Sequence, residues 1–187
     1  MIKIRTGLRI GILILAVSAG AFITRYFKPV SCPIAKSGIS DFNDARDTAD
    51  ILKLMEEDRY WLISSKDYDP AFALKSRSPN TYEDKYKGKM KIRVMRKDGA
   101  FIGFVTYYMK NFIEGLILFL AVRSEFRGKR YGPELMDYAL ADLKCMGAQQ
   151  AELVTRVSNV KAQSVYKRTG FEETTRDEEY IYYRKKL

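Results

Sequence analysis

The spacing of apolar residues along the chain changes twice, and each change predicts a different kind of element. Apolar residues recur at helical spacing between Ala45 and Met55, which predicts a helix capped by Asp41 or Asn43. Residues 64–88 are polar, rich in tyrosine and interrupted by prolines. We therefore expect a loop there, with at most one short helix.

Beyond this loop the apolar period becomes two, which is typical of strands. The stretches MKIRVMR (90–96) and FIGFVTYYM (101–109) flank the pair Asp98-Gly99, which favours the positive φ of a tight hairpin turn. A third strand, FIEGLILFLAV (112–122), follows after two polar residues. Three strands joined by short turns predict an antiparallel meander.

Helical spacing returns in the C-terminal third of the chain. It runs from Pro133, which suits a first helical turn, to Gly147, which suits the position past a helix end. A strand at 151–157 precedes a second helix at 159–170, and residues 171–187 form two more strands. The order helix, three strands, helix, strand, helix, two strands predicts an α/β or α+β layered fold.

The chain also begins with an apolar segment. The uncharged run Ile10–Thr24 is 15 residues long, about 22 Å as a helix, and a bilayer core is about 30 Å thick. Residues 8–27 just reach across if Arg9 and Arg25 extend their charges outward. The basic start and the small residues at 19–21 fit a cleavable signal peptide equally well, and a buried core helix is the remaining alternative.

We therefore expect three segments: a signal peptide or membrane anchor at 1–28, a linker at 29–40 and one domain at 41–187. If the first segment is not cleaved, residues 8–27 make the membrane a partner. The protein is then membrane-associated or exported, and the sequence leaves open which side of the membrane the domain faces.

Charge and composition narrow the chemistry. The net charge of +10 favours an anionic partner, such as nucleic acid, a membrane surface or a phosphate-bearing ligand. The absence of histidine excludes histidine-based mechanisms and most catalytic zinc sites, and we predict no metal site. No nucleic-acid-reading motif is present, so we expect no nucleic-acid partner.

The basic charge is concentrated where the third meander strand meets the next helix. Residues 123–132 contain four basic residues and two glycines, ending in RGKRYG. The start of a helix presents free N–H groups and partial positive charge, and glycines let a ligand approach the backbone. This combination predicts a phosphate or pyrophosphate site, although glycine turns also occur for steric reasons. Neither a P-loop nor a dinucleotide fingerprint is present.

Two stretches resemble the signatures of one family, the GCN5-related N-acetyltransferases (GNAT). RGKRYG resembles the acyl-CoA-binding motif R/Q-x-x-G-x-G/A, with Arg127 and Gly132 at its ends and Arg130 in place of the central glycine. NVKAQSVYKRTGF, residues 159–171, resembles N-x-x-A-x-x-x-Y-x-x-x-G-F. The resemblance covers roughly residues 40–187. It implies a mixed, mostly antiparallel central sheet flanked by helices, and an N-acetyltransferase that uses acetyl-CoA as co-substrate.

The resemblance also implies a site. The pantetheine arm of acetyl-CoA would pair with the fourth strand where it parts from the fifth, and the pyrophosphate would lie on the basic loop. Tyr166 matches the tyrosine that protonates the leaving thiolate, although a core aromatic also fits. Asn159 matches a residue that contacts the cofactor arm, although a plain helix cap also fits. The implied cofactor-binding residues are Leu120, Ala121, Val122, Arg127, Gly128, Lys129, Arg130, Tyr131, Gly132 and Asn159.

The implied reaction is direct attack of a primary amine on the thioester, which calls for a base. The family's N-terminal alanine acetyltransferases carry a glutamate in EVRxSN, and VTRVSN here places Val154 there. Glu114 is our candidate base, with a solvated strand-end charge as the alternative. The loop at 64–88 and the pair Tyr107-Tyr108 are candidates to line an acceptor pocket, and the acceptor is left open between small molecules and proteins.

A second function stays open beside the enzyme. Arg130 in a glycine position, Pro133 without an N–H donor and the missing glutamate are also expected of a catalytically degenerate module that binds CoA or another anion without turnover.

Overall fold

The computed structural model describes Cys32 and residues 38–80 and 83–187. The predicted signal or anchor segment at 1–28 therefore lies outside the described residues, as does most of the predicted linker. Among the helices of the described part, none has the length and apolar character needed to cross a bilayer.

The described elements follow the predicted order, with a further strand at the start and a further four-residue helix directly after the first helix. The elements are β1 (Ile39–Asp41), α1 (Asp44–Glu57), α2 (Arg59–Leu62), α3 (Pro70–Ser76), β2 (Lys91–Lys97), β3 (Ala100–Met109), β4 (Glu114–Val122), α4 (Tyr131–Cys145), β5 (Gln150–Arg156), α5 (Val160–Arg168), β6 (Glu172–Arg176) and β7 (Tyr180–Lys186). Short 3₁₀ turns occupy Asp84–Tyr86 and Ser124–Phe126.

The strands of the described residues form one seven-stranded sheet in the order β1-β2-β3-β4-β5-β7-β6. Neighbours from β1 to β4 are antiparallel, β4 and β5 are parallel, and β5, β7 and β6 are again antiparallel. The predicted meander is β2, β3 and β4, and its first turn has positive φ at Asp98 (51°) and Gly99 (81°). The sheet is therefore mixed and mostly antiparallel, as the resemblance implied.

Helix ends follow the local signals. The side chain of Asn43 accepts a hydrogen bond from the Arg46 N–H at 3.0 Å, so Asn43 rather than Asp41 caps α1. Gly147 and Gly170 follow the ends of α4 and α5 with φ of 100° and 83°. The predicted helix start at Pro133 is two residues late, because α4 begins at Tyr131.

Helices cover both faces of the sheet. On one face α4 buries Leu135, Met136 and Leu143 against β3, β4 and β5. On the other face α1 buries Ile51, Leu54 and Met55 against β2, β3 and β4. We call these the α4 face and the α1 face. Burial on both faces of a sheet with apolar central strands supplies the main stabilisation of such a fold.

Candidate active site

The site is built around the place where β4 and β5 part. The two strands pair only from Glu114 to Leu116, opposite Gln150 to Glu152. Beyond these pairs β4 continues to Val122 and β5 continues to Arg156, and the two strands no longer pair with each other. The edge of β4 that faces β5 therefore presents backbone N–H and C=O groups without a strand partner.

A bulge on β4 lies at the start of this parting. The β3–β4 register shifts so that Thr106 pairs with Phe119 and Tyr107 with Ile117, which leaves Leu118 as the extra residue. The buried Thr106 hydroxyl accepts a hydrogen bond from the Phe119 N–H at 3.0 Å. A bulge re-aims the side chains beyond it, and Ile117 accordingly packs on the α4 face while Phe119 packs on the α1 face. The predicted cofactor-binding residues Leu120, Ala121 and Val122 all lie in this parted segment.

The basic loop joins the end of β4 to the start of α4 and holds two left-handed residues. Gly128 has φ of 80°, and Arg130 has φ of 66° and ψ of 8°. A Cβ added to Gly128 would meet no atom within 4 Å, so backbone conformation rather than space favours glycine there. The central motif position does require positive φ, and an arginine occupies it.

This loop conformation leaves donors free. Within the described residues, no hydrogen bond engages the backbone N–H of five consecutive residues, Gly128, Lys129, Arg130, Tyr131 and Gly132. The next described backbone bond is from the Glu134 N–H to the Arg130 carbonyl, inside α4. Consecutive free N–H groups at the start of a helix form an anion-binding concavity.

The side chains of the loop differ in how far they are already engaged. Arg127 donates from Nη2 to Asp58 Oδ2 at 2.5 Å and from Nε to the Val122 carbonyl at 2.8 Å. Arg130 is exposed, and the described residues give it no ion pair. Lys129 contacts only the face of the Phe126 ring, at 5.4 Å, in the same part of the chain. The charge available to a ligand therefore comes from Lys129 and Arg130, and the cofactor role of Arg127 stays a prediction.

Asn159 caps the start of α5, and Tyr166 lies on α5, where it packs against the core of the α4 face. The Asn159 side chain accepts from the Ala162 N–H at 3.3 Å, so it caps the helix as the simpler interpretation proposed. Tyr166 is half-buried against Phe171 and Tyr183, with ring centroids 6.2 and 5.8 Å away. Burial, with a smaller contribution from Tyr183, raises the pKa of Tyr166 to about 12, so its hydroxyl keeps its proton at neutral pH.

Glu114 lies at the closed end of the parted strands. Its carboxylate accepts hydrogen bonds from Asn111 Nδ2 and Gln150 Nε2, both at 2.5 Å. It does not line the cavity described next. These contacts match the strand-end alternative, and the role of Glu114 as the base stays a prediction.

A cavity of about 500 Å³ opens between β4 and β5 on the α1 face. Its walls come from both strands, from α2 and the following loop, and from Tyr180 at the start of β7. The predicted lining residues are partly right: Tyr68 and Tyr108 line it, whereas Tyr107 is fully buried and donates to Asp142 at 2.5 Å. Trp61 and Arg156 also line the cavity, and the sequence did not predict either of them. Both lie far from β4 in sequence, so no local pattern connects them to it.

Comparisons with known proteins agree with this architecture. The sequence profile of the acetyltransferase (GNAT) family matches residues 49–171. N-alpha-acetyltransferase 30 of Schizosaccharomyces pombe is 39% identical over 59 residues, which span 32% of this chain and only 39% of that curated relative.

Solved structures share the fold at low sequence identity. Ard1 from Thermoplasma volcanium superposes with a TM-score of 0.64 at 21% identity, over 80% of this chain and 96% of that one. The PaiA N-acetyltransferase from Thermoplasma acidophilum, solved in complex with coenzyme A, gives 0.62 at 19% identity over 80% and 98%. With two thirds of the chain matched by the family profile and the fold shared throughout the described domain, the protein belongs to the acetyltransferase (GNAT) family.

Proposed function

We propose that this protein transfers the acetyl group of acetyl-CoA to a primary amine by direct attack of the amine on the thioester. The observation that carries the proposal is the row of backbone N–H groups from Gly128 to Gly132, which make no hydrogen bond within the described residues. The row includes the cations Lys129 and Arg130, which form no ion pair in that part of the chain. The pyrophosphate of CoA is esterified at both ends, so it carries about two negative charges and several acceptor oxygens, which is what this loop is equipped to bind.

The parted edge of β4 supports the same ligand. A pantetheine arm contains amide groups spaced along a flexible chain, and it can pair with an unpartnered strand edge as another strand would. The edge from Ile117 to Val122 runs directly into the basic loop. A ligand lying along it with its pyrophosphate on the loop directs its thioester back toward the bulge at Leu118 and the cavity.

The chemistry needs two proton transfers. A neutral amine forms the N–C bond and the C–S bond breaks, so one proton leaves the nitrogen and one proton must reach the thiolate. Tyr166 is our candidate for the second transfer, because burial keeps its hydroxyl protonated. Among the described residues that line the cavity there is no carboxylate, so we propose that the amine proton leaves through water rather than directly to Glu114.

A degenerate module remains the second candidate. The lack of a carboxylate in the described cavity lining and the left-handed Arg130 both favour it. The two functions share the anion site and differ only in turnover, so one preparation can separate them.

The test uses the purified full-length chain. We expect calorimetry to detect CoA binding, and labelled acetyl-CoA with a mixture of primary amines to yield acetylated product. Reversing charge with Lys129→Glu and Arg130→Glu should weaken CoA binding at least tenfold. Lys186→Glu is the matched control, because β7 pairs there with Gln150 at the closed end of the parted strands.

Two negative results distinguish the transferase from the degenerate module. CoA binding without acetyl transfer to any amine supports the degenerate module. A folded protein that does not bind CoA contradicts the transferase, and one that binds neither CoA nor inorganic pyrophosphate contradicts both functions.

Membrane attachment or export through residues 1–28 is a further part of the proposal. It rests on the uncharged run Ile10–Thr24 and its basic flanks. Expression with a topology reporter fused at Leu187, together with N-terminal sequencing of the mature chain, would test it. A chain that stays intact in the soluble fraction contradicts it.

A further inference from the structure

The cavity between β4 and β5 has a composition that selects among amines. Its lining is mostly aliphatic and aromatic, with Trp61 and Leu62 from α2, Tyr68 from the following loop and Phe119 from β4. Its polar lining groups are hydroxyls, an amide and one guanidinium, and no aspartate or glutamate of the described chain contributes to it. An acceptor with several ammonium groups would find no counter-charge there.

The one charged lining residue is already neutralised. Arg156 is 9% exposed, donates from Nε to the Tyr60 carbonyl at 2.7 Å and forms an ion pair with Glu179. Its guanidinium also lies over the rings of Tyr60 and Tyr180, at 4.5 and 5.1 Å. The ion pair therefore holds Arg156 in the wall, and the Glu179 side chain, which is 61% exposed, does not line the cavity.

Apolar side chains remain exposed at the same cavity. Trp61 is 44% exposed and Val154 is 46% exposed, although both are large apolar residues at the wall of a cleft. Val154 occupies the position where the alanine acetyltransferases of the family carry glutamate. Exposed apolar surface lining a concave site is recovered when an apolar ligand covers it.

We propose that the acceptor is a primary amine carried on an apolar or aromatic group, with no second positive charge near the amine. The inference rests on the proposed acetyl transfer and adds the class of acceptor. Two sources offer this chemistry: a small alkyl or arylalkyl amine, and the amino terminus of a peptide that begins with an apolar residue.

The first experiment compares acceptors at saturating acetyl-CoA. We expect kcat/KM to rise about fourfold per added methylene from propylamine to hexylamine, the factor that corresponds to about 0.8 kcal/mol per buried methylene. 2-Phenylethylamine and a peptide beginning with leucine are the two source arms, and the larger kcat/KM identifies the source. Putrescine and spermidine should react at least tenfold less efficiently than hexylamine. Equal or better use of spermidine overturns the inference.

The second experiment changes the cavity wall. Val154→Glu should shift the ratio of kcat/KM for spermidine over hexylamine upward at least tenfold, and Val154→Gln, of similar size without charge, should not. Trp61→Ala should raise KM for hexylamine several-fold and leave CoA binding by calorimetry unchanged. If both Val154 variants behave alike, or if Trp61→Ala leaves hexylamine kinetics intact, the cavity does not select the acceptor.

Failure of this inference is distinguishable from failure of the proposed function. If the protein binds CoA and acetylates polyamines but not alkyl or arylalkyl amines, the acceptor class is contradicted and the transferase function is preserved. CoA binding without acetylation of any amine contradicts the transferase, and the acceptor class fails with it.

Discussion

At Arg130 the backbone conformation favours glycine, whereas binding of an anion favours the charged side chain. A left-handed conformation at a residue with a Cβ costs about 1 kcal/mol, and glycine would avoid that cost. The exposed guanidinium has no ion pair among the described residues that would offset the strain. A ligand with negative charge at the start of α4 is the partner that would offset it.

The first prediction follows from this conflict. Arg130→Gly should leave the free energy of unfolding unchanged or raise it by up to about 1 kcal/mol, because relief of strain competes with the greater freedom of glycine in the unfolded chain. The same change should weaken CoA binding about three- to tenfold through loss of one charged contact. Urea denaturation and calorimetry measure the two effects.

Arg130→Lys is the control, since it keeps both the charge and the Cβ. It should bind CoA within about threefold of the parent chain. If Arg130→Gly binds CoA as tightly as the parent, the guanidinium does not contact the ligand.

A second prediction concerns Tyr166. Its raised pKa of about 12 means that about 1% of the hydroxyl is ionised at pH 10, where an ordinary tyrosine is half ionised. If protonated Tyr166 is the acid, the rate should rise with pH as the amine loses its proton and should show no falling limb up to pH 10. Mass spectrometry of the acetylated amine between pH 6.5 and 10 measures this profile.

Removing the hydroxyl tests the role itself. Tyr166→Phe keeps the ring against Phe171 and should lower kcat about a hundredfold or more with little change in KM for acetyl-CoA. Tyr183→Phe is the matched control, because that hydroxyl is buried without a hydrogen-bond partner in the described structure. Similar kcat losses in the two variants would assign the effect to packing.

Among the elements, the short helix α2 and the residue before it contact the chain at the ends of both β4 and β5. Asp58, just before it, accepts from Arg127 after β4, and the Tyr60 carbonyl within it accepts from Arg156 at the end of β5. Because Trp61 and Leu62 of the same helix line the cavity, α2 links the basic loop to the cavity wall.

A third prediction uses this link. If Arg127 acts by holding Asp58, then Arg127→Gln and Asp58→Asn should both weaken CoA binding, because each loosens the loop. If Arg127 instead binds the pyrophosphate, Asp58→Asn should strengthen CoA binding by releasing the guanidinium. We expect the first pattern, read by calorimetry.

The double variant completes the cycle. Arg127 is 47% exposed, so solvent screening should hold the coupling energy to about 1 kcal/mol or less by urea denaturation. Opposite signs for the two single variants in CoA binding would contradict the positioning role.

The elements that could be predicted from sequence are those fixed by neighbouring residues. Asp98 and Gly99 set the hairpin turn, and Asn159 and Gly170 set the two ends of α5. The contacts of α2 could not be predicted, because Asp58 and Arg127 lie 69 positions apart and Tyr60 and Arg156 lie 96 apart. No local sequence pattern shows that a four-residue helix will contact the ends of two distant strands. The residues that form the cavity walls could therefore be identified only from the structure.

At the scale of the whole molecule, a carboxylate fastens each helical layer to the sheet, partly buried on the α4 face and fully buried on the α1 face. On the α4 face, Asp142 accepts from Tyr107 at 2.5 Å and Arg93 at 3.1 Å. On the α1 face, the fully buried Asp47 accepts from Arg46 at 2.8 Å and Arg96 at 3.0 Å. Removing one partner of such a buried pair leaves an uncompensated charge and is strongly destabilising.

The fourth prediction is the pH dependence that Asp47 confers. Burial alone would raise its pKa, but hydrogen bonds from Arg46, the Asn43 N–H and Arg96 outweigh burial and hold the pKa below 3.8. A carboxyl with a lowered folded pKa contributes stability that is present above about pH 4 and is lost as pH falls through the lowered value. Asp47→Asn should therefore cost about 2–4 kcal/mol at pH 7.

The free energies of unfolding of the parent and of Asp47→Asn should then converge in acid, because both proteins lack the carboxylate once Asp47 is protonated. Urea denaturation at pH 7, 4.5, 3 and 2 should show a difference that is constant down to pH 4.5 and shrinks below it. Glu173→Gln is the control, since that carboxylate pairs with Arg176 at the surface and should change stability little at any pH. A difference between parent and Asp47→Asn that stays constant down to pH 2 would show that the cost comes from amide packing, and the link between α1 and the sheet would not depend on charge.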